Sequence, residues 1–486
     1  MRFVSVRNLK PGMVVAKGLT NSSKTFMIKE NIELTQQYIN RLTEAGYAGL
    51  YIKDKVSEEI QIIDSIAPEI FAEGVEAVKN QDIGALVEVS KTIVSEVLYS
   101  DNICADILDL RSYDDYTYHH SVNVALYATL IGKRMNLSAL DLELLCQAGI
   151  CHDLGKSRVP TDIINKPDKL TDEEYEKIKE HPRLSYQILS GCYDIAAKVK
   201  QAVLYHHENE EGTGYPEGLK GDQIPLFSKI LHAVDVYDAL TSKRPYKEPF
   251  TPAEALQYID GGRGILFDSR VVDVMMTVIP AYPPGIDVTL SNGEECLVIA
   301  HTRDAMRPRV RVIERMEDVN LMTDRRYKEI DIVESSLLPS NNWTEDIEQL
   351  NHEKLTALEH ASEKTILVVD DSVTSLMTAR SSLEDKYNLV LVKNAMHAMS
   401  YIKKNPVPDL VLMDIEMPDL DGITCMRKLR ELSQTPNLPV IFCTSIVNEA
   451  IKNQCRLINA VEYITKPIRP IYLRERVAIF FGESRE

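Results

Sequence analysis

Apolar residues recur at two different spacings along this chain, and the changes of spacing divide it. Residues 1–65 mix both. The runs GMVVAKGL and AGLYIKD read as short strands, and NIELTQQYINRLTEAG carries a helical period that stops at Gly46, which predicts a small α+β module. From 66 to 280 the apolar residues fall every three or four positions, as in DILDLRSYDDYTYHHSVNVALYATLIGKRMN and LSALDLELLCQAGICHDLG. An all-α domain is expected there, broken at INKPDKLT and EGTGYPEGLKGDQIP. Residues 281–335 lose the helical period. In IDVTLSNGEECLVIAHT a Ser-Asn-Gly turn separates two β-prone runs, and RPRVRVIER follows, so a small β appendage is expected. Residues 336–363 open as a Pro- and Asn-rich loop and continue as a charged, helical connector, whose Ile347, Leu350, Leu355 and Leu358 fit a helix stripe only loosely. From 364 to 486 the short apolar runs TILVVDD, LVLVKN, DLVLMD, PVIFCTS and EYITKP alternate with helical stretches. That alternation predicts an α/β domain, a doubly wound parallel sheet of five strands covered on both faces.

The 486 residues therefore form a multidomain protein, in keeping with a length too great for one ordinary domain. A net charge of −18 argues against a general nucleic-acid or anionic-membrane binder, while leaving room for an anionic small substrate held by a few local cations. The eight cysteines contain no CxxC pair, so reduced thiols in a cytoplasmic protein are expected. The opening MRFVSVRNLKPGMVVAKG lacks the apolar core of a signal peptide, and no apolar stretch is long enough for a membrane span.

The helical region carries the chemistry. His119 and His120 lie in YTYHHSVNV, His152 and Asp153 in CHDLGKS, His181 in KEHPRLS, His206 and His207 in YHHENEEG, and Asp235 and Asp238 in LHAVDVYDAL. Adjacent helical residues point about 100° apart, so His206 and His207 cannot both serve one core face. Imidazoles and carboxylates without thiolates suit iron, manganese, zinc or nickel with open positions. So many donors would crowd one tetrahedral zinc but not two metals, with a carboxylate such as Asp153 between them. A lone helical histidine is more often a hydrogen-bonded core residue, and that reading is kept for His119 and His232.

The segments HSVNV, HDLGK, EHP, HHE…GTGYPEGLKG and ILHAVDVYDALTSKRPYK, in this order over about 105–280, resemble the HD-GYP family of cyclic di-GMP phosphodiesterases. The resemblance implies a metal-ligand set of His120, His152, Asp153, His181, His206, His207 and Asp235, with Asp153 bridging two divalent transition metals, iron or manganese. It implies that Lys156 contacts the scissile phosphate, that Arg244 and Lys247 grip substrate phosphates, that Tyr215 lines the substrate site, and that Asp238 orients a ligand from behind. Asp153 and Lys156 would be the catalytic residues, and cyclic di-GMP would be opened to pGpG and then cut to GMP. Members with three metals carry a glutamate where this chain has Tyr116, which favours two metals. The usual HHERxDG reads HHENEEG, with Asn209 and Glu211 replacing an arginine and an aspartate. A cyclic di-GMP sensor, a phospho-switched scaffold, or a metal phosphohydrolase for another nucleotide are the alternative functions.

In the last domain Asp370 and Asp371 end the first strand, Asp414 the third, Thr444 the fourth and Lys466 the fifth. Functional groups gather at the carboxyl ends of parallel strands, and three carboxylates there call for a divalent cation. Residues 364–486 resemble response-regulator receiver domains. The resemblance implies phosphorylation of Asp414 by a cognate histidine kinase. It places Mg²⁺ on Asp370, Asp371, Asp414 and the Glu416 carbonyl, and a switch in Thr444, Tyr463 and Lys466. The chain would then be a response regulator with its output domain first, acting alone or as a homodimer.

Overall fold

The computed structural model describes residues 1–20, 26–44, 47, 49–60, 66–99, 116–164, 166, 171–242, 249–328, 330–337, 364–383, 386–392, 394–417, 420–431, 435–444, 454–466, 468 and 470–482. Arg244, Lys247 and nearly all of the 336–363 connector lie outside them. The chain divides into two compact units, Met1–Leu256 with Ser269–Glu353, and Gln257–Asp268 with Lys354–Glu486.

The first unit opens with strand Arg2–Ser5, antiparallel to Gly49–Lys53, which also pairs with Val14–Val15. The helix of this module spans Gln36–Glu44, not the whole run from Asn31. Residues 31–34 are instead spent on pairing with 13–15: Val15 N donates to Ile32 O and Leu34 N to Met13 O. Asn31 sits at φ 66°, where a right-handed helix cannot pass. Leu9, Val15, Leu34, Leu42 and Leu50 close a small core around it.

The helical region is built around Tyr116–Arg134. Its Val122, Val124, Ala125, Ala128 and Ile131 have no exposed surface, so this helix is enclosed and shows no one-sided stripe. Helices Ala139–Cys151, Leu226–Thr241, Ser269–Val278 and Pro68–Asn80 pack against it. The Ala139–Cys151 helix is started by Ser138, whose side chain accepts from the Asp141 amide. It lies very close to the central helix: a Cβ placed on Gly149 would be 2.7 Å from Ala125 Cα. Helix Asp172–Lys179 begins with a capping box between Thr171 and Glu174.

After the helices, strands Asp287–Leu290, Glu295–Ala300, Arg309–Val312, Glu317–Asn320 and Ile332–Ser335 form an antiparallel sheet, with Ile332–Ser335 beside Asp287–Leu290. This sheet is joined to the first residues of the chain. Phe3 N donates to Gly285 O at 2.8 Å, Arg2 bridges Asp287 and Asp54, and Arg311 reaches Val56 O and Glu59.

In the second unit five parallel strands lie in the order Asn388–Val392, Thr365–Val369, Leu410–Asp414, Val440–Thr444, Glu462–Thr465. Alternate residues face opposite sides. Leu367, Val369, Val411 and Phe442 meet Ile402, Met426 and Leu429 of helices Ala395–Lys404 and Gly422–Arg430. Ile366, Val368, Leu412 and Ile441 meet Leu376, Leu383, Leu473 and Val477 of helices Val373–Leu383 and Pro470–Phe481. Burial of both faces is why these strands read as unbroken apolar runs. Among the described residues, no helix is long and apolar enough to cross a membrane.

The Gly149–Ala125 approach yields a stability test. Gly149→Ala forces a methyl against backbone and should cost about 1–3 kcal/mol, read as a lower denaturant midpoint with an unchanged slope. An unchanged midpoint would show that the two helices separate freely.

Candidate functional site

Five helical segments deliver the donors. His120 lies in the first turns of the central helix, His152 caps the end of Ala139–Cys151, and Asp153 follows it. His181 follows the Asp172–Lys179 helix, His206 and His207 follow Ala197–Leu204, and Asp235 and Asp238 lie within Leu226–Thr241. All are buried except His207, which is half-buried.

The ring orientations have a common cause. The last carbonyls of a helix have no partner within it. His152, His181 and His206 each sit just past a helix end and turn Nδ1 back to a carbonyl three residues earlier: Gly149 O, Ile178 O and Val203 O, each at 2.7 Å. A carbonyl only accepts, so each Nδ1 carries the hydrogen and each neutral ring keeps its lone pair on Nε2. His120, in the first turns of its helix rather than past a carboxyl end, uses Asp238 instead, with Nδ1 2.7 Å from Oδ2. Asp238 is itself held by Asn123 Nδ2 at 2.9 Å and by the Ser242 hydroxyl.

The four Nε2 atoms converge. His120 Nε2 is 3.1 Å from Asp235 Oδ1 and 3.6 Å from Asp153 Oδ2. His152 Nε2 is 3.4 Å from Asp153 Oδ2, and His181 Nε2 is 3.4 Å from Asp153 Oδ1. His181 Nε2 lies 3.3 Å from His206 Nε2 and 3.2 Å from His207 Nε2. Three triads have ligand atoms within 4.8 Å of one another: His120, His152 and Asp153; His152, His206 and Asp235; His181, His206 and His207. His152 Nε2 and Asp153 Oδ1 are fully buried and make no hydrogen bond of good geometry. Inward lone pairs, two buried carboxylates and these two unsatisfied atoms fit divalent transition cations.

The electrostatics agree. Burial disfavours the Asp153 charge, but His152 and Lys156 outweigh it and hold the carboxyl well below the usual range. Asp235 is likewise held well down, burial being overcome by His120 and His152. Burial lowers His152, yet the charge of Asp153 reverses this and raises it to about 10. Burial takes His181 down to about 3 and His206, with help from His152, to about 4. It also drives His207 well below its ordinary value, aided by His206 and His181. One half of the cluster thus attracts positive charge, and the other half stays neutral with its lone pairs available.

Lys156 Nζ lies 2.6 Å from Asp153 Oδ2 and is the nearest described cation to these carboxylates. Tyr215 stacks on His207, ring centroids 4.7 Å apart and planes 22° apart, which places the Gly-Tyr-Pro loop over this edge of the cluster. His119 packs its ring near Phe71, and His232 Nδ1 meets the His206 carbonyl at 3.0 Å. Three supports were not singled out from the sequence. Asn123, three residues after His120, holds Asp238. Glu208, 1% exposed, accepts from the amides of Glu217 and Leu219. Lys229, 5% exposed, pairs with Glu210. The i, i+3 spacing of His120 and Asn123 was the one local signal for any of them.

In the second unit Asp370, Asp371 and Asp414 bring carboxylate oxygens within 4.8 Å of one another. Lys466 Nζ spans two of them, 2.8 Å from Asp370 Oδ2 and 2.7 Å from Asp414 Oδ2. Burial and the Asp414 charge raise Asp370 to about 6 against the pull of Lys466. The Glu416 amide donates to Asp414 Oδ1, Thr444 is buried with its carbonyl accepting from the Lys466 amide, and Tyr463 is half-buried against the neighbouring core.

Comparison with known proteins places both centres in recognised domains. Residues 102–271 match the HD domain family, and residues 366–478 match the response regulator receiver domain. The chain therefore carries an HD domain followed by a C-terminal receiver domain. A cyclic di-GMP phosphodiesterase of Pseudomonas aeruginosa is 37% identical over 221 residues, 45% of this chain and 53% of that one. The cyclic di-GMP phosphodiesterase response regulator RpfG of Xanthomonas campestris pv. campestris is 42% identical over 150 residues, 31% of this chain and 40% of that one. A 3′3′-cGAMP-specific phosphodiesterase of Vibrio cholerae is 30% identical over 197 residues, 40% of this chain and 37% of that one. The chain thus spans about half the length of the first of these relatives, and less of the other two.

Proposed function

We propose that this chain is a response regulator that hydrolyses cyclic di-GMP, to pGpG and then GMP, at a two-metal site in its HD domain, under control of phosphorylation at Asp414. The observation that carries the reading is the set of four imidazoles with Nδ1 tied back and Nε2 turned inward around Asp153 and Asp235. His120, His152, Asp153, His181, His206, His207 and Asp235 would hold the cations, iron or manganese among the metals that such donors suit, by the likeness to the HD-GYP family. When bound, the cations supply the positive charge that an attacking water and a phosphodiester's oxygens require.

The chain's own residues supply the rest. Lys156 places an ammonium beside the Asp153 carboxylate, where it can move onto a phosphate oxygen as a point charge. Asp238, backed by Asn123, fixes the tautomer and direction of His120. Tyr215 borders the cluster on the side of His207 and would line the substrate. In-line attack at phosphorus with loss of the 3′ oxygen needs no covalent intermediate. The activities named for the relatives support cyclic di-GMP, while the 3′3′-cGAMP-specific relative keeps a mixed cyclic dinucleotide as the second substrate to test. Arg244 and Lys247, outside the described residues, would add phosphate contacts.

In the receiver, Asp370, Asp371, Asp414 and the Glu416 carbonyl would hold Mg²⁺, an oxygen-only set for a hard cation. A histidine kinase would phosphorylate Asp414. Lys466 already lies on that side chain, and Thr444 and Tyr463 would turn the added charge into a packing change.

Two outcomes test the hydrolase. His152→Ala and Asp153→Asn should each reduce cyclic di-GMP turnover to background and lower the metal content measured by elemental analysis. Full turnover from a variant stripped of metal would sink the reading. Asp238→Asn should keep the fold but weaken metal binding by about 10- to 100-fold, because His120 loses the partner that orients it, as measured by titration against a competing chelator. For the receiver, a small-molecule phosphodonor with Mg²⁺ should change the turnover of the full chain and leave Asp414→Asn unaffected. An equal response in both proteins would exclude Asp414 as the control point.

A further inference from the structure

Lys229 is difficult to explain by stability. It lies inside helix Leu226–Thr241, 5% exposed, six residues before Asp235. Its Nζ is 2.9 Å from Glu210 Oε2 and 3.1 Å from Oε1. Lys229 is buried, whereas the Glu210 side chain keeps 21% of its surface exposed, and taking the lysine out of water costs desolvation that a single ion pair rarely exceeds. Such a pair is better explained by what it fixes in place.

It fixes the loop that carries Tyr215. Glu210 leads into the Gly-Tyr-Pro segment, and its own carbonyl accepts from the Gly221 amide at 2.9 Å, so both ends of the loop meet at this residue. Within the loop, the Glu208 carboxylate takes the Glu217 and Leu219 amides at 2.8 and 2.9 Å, and the Tyr215 amide bonds to His207 O. The loop is folded so tightly that a Cβ on Gly214 would stand 2.3 Å from the Asn209 nitrogen. The loop is therefore stiff within itself, and the Glu210–Lys229 pair ties that stiff body to the helix of Asp235. Asn209 and Glu211, where the motif departs from the HHERxDG pattern, flank the residue that makes this tie.

We propose that the Glu210–Lys229 ion pair is a positioning latch, which holds the Gly-Tyr-Pro loop against the Asp235 helix so that Tyr215 stays stacked on His207 and presents a formed wall to a cyclic dinucleotide. The substrate part of this inference rests on the proposed hydrolase; the latch itself does not. The ion pair joins its two residues to each other and not to the donor atoms, so the latch acts on substrate binding and leaves the cations alone.

The test uses the full chain with Glu210→Gln, Lys229→Met, both together, and Lys229→Arg. Amide hydrogen exchange read by mass spectrometry should quicken at least about fivefold in peptides covering 212–221 in either single variant, and stay unchanged in the rest of helix 226–241 beyond its first turns. KM for cyclic di-GMP should rise about tenfold, with kcat within twofold of the parent and metal content unchanged. The double variant should be no worse than either single one, because the two groups act as a unit, and Lys229→Arg should recover most of the loss. Unchanged exchange in 212–221 for Glu210→Gln overturns the latch, even if Lys229→Met fails to fold. So does a loss of activity that follows metal loss, since the pair would then serve the metal cluster. If the parent chain does not hydrolyse cyclic di-GMP, the hydrolase reading fails, while the exchange comparison still decides the latch.

Discussion

Three histidines of this protein stand just beyond the ends of three helices and return their Nδ1 hydrogens to carbonyls in the last turns of those helices. The aim of three of the ring donors in the HD domain centre follows from that bond. It occupies the one ring nitrogen that could have wandered, fixes the tautomer, and turns each Nε2 lone pair away from the helix it caps. His120 cannot join this scheme because it lies inside the buried central helix. Asp238 and Asn123 supply for it what a helix end supplies for the others.

The sequence showed the parts of this arrangement that are local. A histidine after a helical period, or an aspartate after an apolar strand, can be read from neighbours in the chain, and so the residues that converge in both centres could be singled out in advance, while their roles came from the family resemblance. The strands of the receiver were equally plain, since burial on both faces leaves runs such as LVLMD without polar interruption. What could not be read depends on residues far apart. The module helix starts at Gln36 because residues 31–34 are taken by backbone pairing with 13–15, and periodicity carries no trace of that. Lys229 and Glu210 lie nineteen positions apart. Neither looks different from a surface residue until burial is known. Arg2 and Asp287, which join the first strand to the late β-sheet, are separated by 285 positions.

The central helix shows why pattern fails where packing is densest. A helix with one wet face announces itself by a stripe. Tyr116–Arg134 has neighbours on nearly every side, so polar His120 and Asn123 are nearly as buried as Val122 and Val124. Their polarity is tolerated because each finds a partner on Asp238, and Asp238 in turn needs both. Polar residues in a position that pattern alone would fill with hydrocarbon were the signal there, and they became legible as a site only when joined to the other histidines.

The two centres use one electrostatic device with different donors. In each, a lysine lies directly on buried carboxylates: Lys156 on Asp153 in the HD domain, Lys466 across Asp370 and Asp414 in the receiver. A lysine is a point charge on a flexible stem, so it can shift from a carboxylate to a phosphoryl oxygen without disturbing the fold. The remaining donors differ, and they decide what else is admitted. Imidazoles and carboxylates together favour a transition metal, whereas the receiver offers oxygen alone and suits a hard cation such as Mg²⁺. Two such donor sets can therefore sit in one chain and favour different cations, because selectivity is written into the atoms that each fold turns inward.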